Sequence, residues 1–370
     1  MMKHLSLKTL AAIAAALMMS ATFSSCDMME EDMDDCPSGL YLTFKYDYNL
    51  QRANMFNDHV GSVTVYIFDE QGKLVKTQEE SNVGASAPLK SPSYAMHVTD
   101  LAPGKYQFIA LAGQRPYADM MADSRARFVR TDMPDRADMT QLGIQLDRTQ
   151  TAAGMYDIVN NSLPLDTLWH GMLTTPVEVY STSIYKPTYA TIPLVRDTKK
   201  INVTLYQTND PREMDIANYD MTITDRNSTL LYDNAVDEST GTVVYTPHAV
   251  WNTTFDNPMN QNGDLLDGKG VIGHADFMTS RLVFHDDNTE NGILSIVNKT
   301  TGVEVAAIDL PYYLSQLRTS EDRYRYTEQE FLDRGYDYDI ALYLVGDKLN
   351  YIQISINVLG WSKRIQFEEL

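Results

Sequence analysis

The sequence predicts an all-β protein built as two tandem β-sandwiches. Three features carry that expectation. Apolar and polar residues alternate with a period of two in many short runs, turn residues punctuate those runs at close intervals, and hardly any stretch has the 3.6-residue periodicity of a long helix. A length of 370 residues leaves room for two domains of about 150 residues each. With 44% hydrophobic and 22% charged residues, the bulk of the chain is expected to bury a core rather than stay disordered or depend on disulfides.

The N-terminal segment stands apart from this pattern. Lys3, His4 and Lys8 precede an apolar run from Leu10 to Phe23. At about 15 residues the run is shorter than the ~20 that a membrane-crossing helix needs. It ends in Phe23-Ser24-Ser25-Cys26, the lipobox pattern of bacterial lipoproteins, in which small residues admit a signal peptidase and a thiol receives diacylglycerol. Residues 1–25 therefore read as a signal peptide and Cys26 as the lipidated residue. From Asp27 to Asp35 the chain carries Asp27, Glu30, Glu31, Asp32, Asp34 and Asp35 with no basic residue, so 26–36 reads as a solvated acidic tether. With Cys26 acylated, Cys36 is the only other thiol; no intrachain disulfide is expected, and Cys36 is assigned a packing role before the first strand. The formal charge of −20 becomes −22 without Lys3 and Lys8, at 28 basic against 50 acidic side chains. Such a surface repels phosphate backbones, so nucleic acid is not expected as a partner.

Strands follow. Leu42, Phe44 and Tyr46 alternate with Thr43 and Lys45, and Val63, Val65 and Ile67 with Thr64 and Tyr66. Asp69-Glu70-Gln71-Gly72 turns the chain into Lys73-Leu74-Val75, and Leu101-Ala102-Pro103-Gly104 leads into a strand from Tyr106 to Leu111. From Ala118 to Asp147 the period fades, and loop with short helical pieces is expected. A second set opens where Ile201, Val203 and Leu205 alternate with Asn202, Thr204 and Tyr206, which sets a boundary near Arg196-Asp197-Thr198 and domains of 37–195 and 196–370. Further strands are expected at Thr242–Thr246, Ser280–His285, Ile293–Asn298 and Val303–Leu310, the last three as a meander. One helix is expected from Thr327, with Glu330 completing a capping box and Gly335 ending it. After Ile340–Val345 comes the cleanest alternation in the chain, with Ile352, Ile354, Ile356 and Val358 set against Gln353, Ser355 and Asn357.

Chemical motifs are sparse. Gly268-Lys269-Gly270-Val271-Ile272-Gly273 fits G-x-G-x-x-G, but a polar loop precedes it and a strand follows, whereas a dinucleotide site needs a strand before and a helix after. His274 and His285 are eleven apart with no H-E-x-x-H, and a metal site is not expected from them. Asp287, Thr289 and Asn291 with Gly292 mimic the start of a calcium loop, yet the twelfth position is Asn298, so a hairpin turn is expected there instead. Asp337 and Asp339 could pair as glycosidase carboxylates, a cheap coincidence among 50 acids, and there is no G-x-S-x-G elbow. No enzyme, cofactor, metal or small-molecule substrate is expected. The 23 tyrosines against 11 phenylalanines suit half-exposed strands or a sugar- or protein-binding face.

The order of these pieces resembles a family. Cys36-Pro37, Leu40 to Tyr46, Val63 to Asp69 with Gly72, and Leu101 to Tyr106 are followed by Leu168-Trp169-His170-Gly171, Pro193 to Arg196 leading into Ile201-Asn202-Val203, Phe331 to Arg334, and a closing strand with Gly360-Trp361. Together, after a lipobox, they resemble the FimB/Mfa2 fimbrial anchor lipoproteins of Bacteroidetes over nearly the whole chain. The resemblance implies two transthyretin-like Greek-key sandwiches with one or two short helices; taken individually, Trp169 and Trp361 read as core anchors rather than functional contacts. It also implies an acidic export signal to the outer face of the outer membrane. The implied role is to anchor and help assemble fimbriae, with a fimbrial stalk pilin as partner and the outer membrane reached through the N-terminal lipid. Subunits of such systems join by strand exchange, so Ile352, Ile354, Ile356, Val358, Trp361, Ile365 and Phe367 are candidate donor-tail residues, with pairing back into the second sandwich as the alternative. Arg52 follows the first strand closely, where a stalk subunit would be trimmed. A surface glycan-binding lipoprotein and a tip adhesin of the same system are the other readings.

Overall fold

The computed structural model describes residues 38–181, 186–287, 290–358 and 361–368, the last through its backbone pairing. Cys26, the signal peptide, the acidic tether and Cys36 lie outside the described residues. In chain order the strands begin with β1 (Leu40–Lys45), β2 (Ser62–Asp69), β3 (Leu74–Ser81), β4 (Met96–Val98) and β5 (Gly104–Gly113). Four short ones follow, β6 (Phe128–Arg130), β7 (Ile144–Leu146), β8 (Thr149–Ala152) and β9 (Met155–Ile158), and then β10 (Trp169–Met172), β11 (Val177–Val179) and β12 (Thr188–Arg196). The later part contributes β13 (Lys199–Gln207), β14 (Tyr219–Asp225), β15 (Thr229–Leu230), β16 (Thr242–Tyr245), β17 (Ala249–Asp256) and β18 (Lys269–Thr279). The chain closes with β19 (Ile293–Asn298), β20 (Glu304–Asp309), β21 (Asp337–Val345), β22 (Lys348–Val358) and β23 (Trp361–Glu368). The α-helices among the described residues are short: α1 (Phe56–His59), α2 (Tyr117–Ala122), α3 (Leu310–Ser315), α4 (Ser320–Arg325) and α5 (Glu328–Arg334).

The molecule is all-β, as its alternating pattern predicts. The first sheet runs β3-β2-β5-β10-β12-β1-β4, with β11 beside β5. One apolar cluster gathers its inner face: Leu40, Leu42 and Phe44 of β1 with Val63, Val65 and Ile67 of β2 and Phe108, Ala110 and Ala112 of β5. Trp169 is fully buried there, edge-on to Tyr46, in line with its expected anchoring role. The second unit pairs two six-stranded sheets, β17-β18-β13-β21-β22-β23 and β20-β19-β14-β16-β9-β8. Ile201, Val203, Leu205, Ile340 and Leu342 from one share a core cluster with Met221, Ile223, Leu294 and Ile296 from the other. Residues 128–158 hydrogen-bond across residue 196: β7 pairs with β15 and β9 runs parallel to β16.

Several elements differ from expectation. Ser280–His285 is not a strand. β18 ends at Thr279, and the following backbone is satisfied by side chains, with Asn227 Nδ2 donating to Arg281 O, Gln329 Nε2 to Leu282 O, and Phe284 N donating to Gln329 Oε1. Two helices beyond the expected one separate β20 from α5. Asp309 caps α3 and a Thr319–Asp322 capping box starts α4. Thr327 Oγ1 does accept from Glu330 N, but the Glu330 carboxylate turns to Arg334 instead of back to the cap, so the expected box is half made. Gly335 follows α5 with φ −83°, not in the left-handed region. A Cβ at that position would lie 2.2 Å from Tyr338 Oη and 2.7 Å from Ile356 Cδ1, so close packing is what requires the glycine.

Candidate functional site

The expected donor tail and the first strand lie at opposite ends of the described chain. β22 is an interior strand: it pairs antiparallel with β21 on one side and β23 on the other. Ile352, Ile354 and Ile356 are fully buried, and Val358 packs partly buried against the same core. Of the candidate donor residues, these four thus belong to the sandwich's own hydrophobic layer, as period two demands of a strand covered on one face. β23 is the outermost strand of its sheet, with Phe367 opposite Ile352, Ile365 opposite Ile354 and Trp361 opposite Val358. In this structure the tail is docked.

At the other end, β1 lies between β12, to which it runs parallel, and β4, to which it runs antiparallel. The loop after it is held from both sides. Asn49, fully buried, donates Nδ2 to the carbonyls of Tyr46 and Ala53, each at 2.9 Å. Arg52 Nε donates to Tyr326 Oη at 2.8 Å, with Glu321 and Asp322 of α4 at 3.8 and 3.9 Å from its guanidinium. The Arg334 guanidinium lies over the rings of both Tyr48 and Tyr326, 4.0 and 4.6 Å from their centroids. The segment joining β1 to the rest of the chain is therefore clamped to α4 and α5.

Between these ends lies an ionic junction at the step from β12 to β13. Lys199 is fully buried and donates Nζ to the carbonyls of Leu332, Asp333 and Gly335 at 2.6, 3.1 and 2.8 Å, satisfying the carbonyl end of α5. Arg281 forks onto Asp333 at 2.7 Å through two nitrogens, and Asn234 Nδ2 donates to Asp197 Oδ1 at 2.9 Å. Burial pushes the Asp197 carboxyl up and the Lys199 amine down, since each would otherwise be charged in a dry interior. His170, beside this junction on β10, donates Nε2 to Tyr232 O at 2.9 Å and is pushed down to about 4 by burial.

The motif residues resolve into structural roles. Gly270 lies in β18 beneath the ring of Phe255, whose nearest atom would be 2.3 Å from a Cβ there. His274 contacts Thr253 Oγ1 at 2.8 Å and stacks on Trp251, while His285 faces Glu238. Asp337 and Asp339 are bridged by one amide, Asn202 Nδ2, at 2.9 Å from each. Tyr206, Tyr343 and Tyr351 form a cross-strand ladder with ring centroids 4.6 and 4.1 Å apart. Tyr48, Tyr326 and Lys199 carry no sequence signal of these contacts, and Arg334 stands out only within the Phe331 to Arg334 segment. The Thr319-x-x-Asp322 spacing is the one legible signal that would have placed α4 beside Arg52.

Comparisons with known proteins follow the same geometry. The family model described as fimbrillin-A associated anchor proteins Mfa1 and Mfa2 matches residues 33–367. The crystal structure of a candidate adhesin from Bacteroides thetaiotaomicron shares 28% identity over 90% of this chain and 100% of its own, with a TM-score of 0.69. A candidate polysaccharide-binding protein from the same organism shares 26% identity over 89% of this chain and 99% of its own, at a TM-score of 0.64. The fimbrial anchor protein Mfa2 of Porphyromonas gingivalis has the same fold at 19% identity, over 89% of this chain and 99% of that one, with a TM-score of 0.55. No curated protein matches the sequence. No helix among the described residues is long and apolar enough to cross a membrane.

Proposed function

Because the chain belongs to the family of fimbrillin-A associated anchor proteins, we propose that it is an outer-membrane lipoprotein, held by acylated Cys26, that anchors a fimbrial stalk pilin by strand exchange and helps assemble the fimbria. The observation that carries this reading is β23, a terminal strand at a sheet edge beside a strand whose own core residues are complete. Such an edge presents backbone donors and acceptors to pair with, beside a strand whose Ile352, Ile354 and Ile356 are buried in the sandwich's own core. The clamp at Arg52 supports an anchor over a stalk subunit, because it ties down the segment where trimming would occur. In this reading the chain divides into two sandwiches near residue 196, with β8 and β9 crossing over to join the second, and the role is structural, not catalytic.

A neighbour described as a candidate polysaccharide-binding protein raises carbohydrate binding as a second role. The tyrosine ladder does not favour it. Its rings stack on one another at interplanar angles of 7° and 14°, which takes up both faces of Tyr343 and one face each of Tyr206 and Tyr351. Attachment is tested by Cys26→Ala. A diacylglyceryl group and an N-acyl chain together supply three acyl chains, at ~0.8 kcal/mol per buried methylene. The variant is expected to lose acyl labelling and either leave the membrane fraction or stall unprocessed. Normal outer-membrane recovery with continued palmitate labelling overturns the lipid anchor.

A further inference from the structure

We infer that the open edge at β17 is an interface between two copies of this chain, joined by antiparallel pairing of β17 with its own counterpart. β17 ends its sheet on the side opposite β23, and among the described residues its one strand partner is β18. Its other row of backbone N–H and C=O groups has no strand beside it. Val250 to Thr254 are all exposed, Val250 at 48% and Trp251 at 40%. Such edges invite pairing with another chain, and proteins blunt them with charge or by keeping them short. The other outer strands here follow that rule. β3 carries Lys76, Glu79 and Glu80, β23 carries Lys363 and Arg364, and β20 opens on Glu304 and closes on Asp309. β4, β6, β8 and β15 run for only two to four residues. β17 runs for eight, with no charge from Ala249 to Phe255. The loop that follows it leaves the edge open: Met259, Asn260 and Gln261 lean over the sheet face, where they line a 240 Å³ cleft with Tyr206, Tyr343 and Tyr351.

A second copy is the occupant that β17 fits. The chain carries a formal charge of −20, so a contact between two copies is favoured where neither brings a charge, and this edge is such a place. A two-fold axis through Thr253 runs the strand against itself and keeps each sheet face continuous across the join. On one face Thr253 then meets Thr253 of the second copy, and Trp251 meets its Phe255. Hydroxyl pairs and aromatic pairs of this kind stabilise antiparallel strands, and no charge lies opposite a like charge. On the other face Asn252 meets Thr254. The strand is already set in place for this. Trp251 stacks on His274 with ring centroids 5.0 Å apart, and Thr253 Oγ1 lies 2.8 Å from His274 Nε2. Asn252 Oδ1 accepts from Ile216 N at 3.0 Å while its Nδ2 donates to Asp215 at 2.9 Å. Little ordering is left to oppose association. The pairing is isologous and stops at two copies. It leaves β23 at both outer ends of the joined sheet, so it does not compete with donation of the tail.

Thr253→Asp and Thr253→Lys test the pairing, since each sets like charges against each other at the axis. Sedimentation of the full chain in detergent is expected to show a dimer for wild type, loss of the dimer in either variant alone, and its return when the two variants are mixed. Thr253 is exposed, so neither substitution disturbs the core. A cross-link on whole cells gives an independent reading. With Cys36→Ser as background and a mild oxidant, Thr253→Cys is expected to form a disulfide-linked pair of twice the chain's mass, while Thr77→Cys on the guarded edge of β3 stays single. A monomeric wild type, a dimer that both charged variants retain, or a mixture that stays monomeric overturns the proposal. So does a Thr253→Cys cross-link to a different protein, which makes β17 a docking edge for another chain.

Discussion

His170 shows how a single side chain ties stability to pH in this molecule. It is almost completely buried on β10, neutral, and pushed down to about 4 from its ordinary 6.5. As pH falls, the unfolded chain takes up the proton first. The stability contributed by the neutral ring is therefore complete above pH ~6.5 and is lost progressively as the pH falls toward the folded-state value. Asp197, pushed up by burial, has the opposite slope, so the effect is isolated by comparing wild type with His170→Asn. Between about pH 7.5 and 4.5 the stability of wild type relative to the variant is expected to fall by on the order of 3 kcal/mol, read from urea unfolding. An unchanged difference would contradict the buried neutral imidazole. Nothing in the sequence announced this cluster. Arg196-Asp197-Thr198, the expected boundary, has the composition of a solvated linker, yet Asp197 and Thr198 are fully buried, as is the adjoining Lys199, which supplies the donor that the carbonyls at the end of α5 need. Trp169 was legible because a large apolar ring has few places to go.

At the scale of elements, period two was a sound guide wherever one sheet face is covered, as in β13, β21 and β22. It was a poorer guide where packing is two-sided or where side chains replace the ladder. β2 alternates like a half-exposed strand, but Tyr66 and Thr64 are buried beneath β6 and β7, with Arg130 Nη1 donating to Thr64 Oγ1 at 2.7 Å. Ser280–His285 alternates too, yet Gln329 and Asn227 take its backbone bonds. The loop between β1 and α1 is the element on which retention of the first strand depends. A protease needs a locally opened segment, and the Arg52–Tyr326 contact opposes that opening. An arginine-specific protease is expected to leave the Arg52–Ala53 bond of wild type intact while cutting it several-fold faster in Tyr326→Leu, as followed by N-terminal sequencing of fragments. Equal rates would mean that the clamp does not protect the strand.

For the whole molecule, the all-β class and the order of the strand sets were readable because turn residues and alternation repeat along the chain. The crossing of residues 128–158 into sheets with later strands was not, since β6 to β9 are three or four residues long and find partners only through tertiary packing. The tail illustrates the same limit. Its alternation announced a strand, and pairing with β22 is a matter of which edge is nearest, which sequence alone does not specify. Anchoring by strand exchange requires that β23 be the piece that leaves its sheet and joins a partner's. Deleting Ser362–Leu370 from the chromosomal copy tests this most directly, with fimbriae counted on cells and in the medium. The account predicts that the truncated protein remains folded and in the outer membrane at normal level, while fimbriae detach and accumulate in the medium. Fimbriae that stay cell-bound at normal length would contradict it.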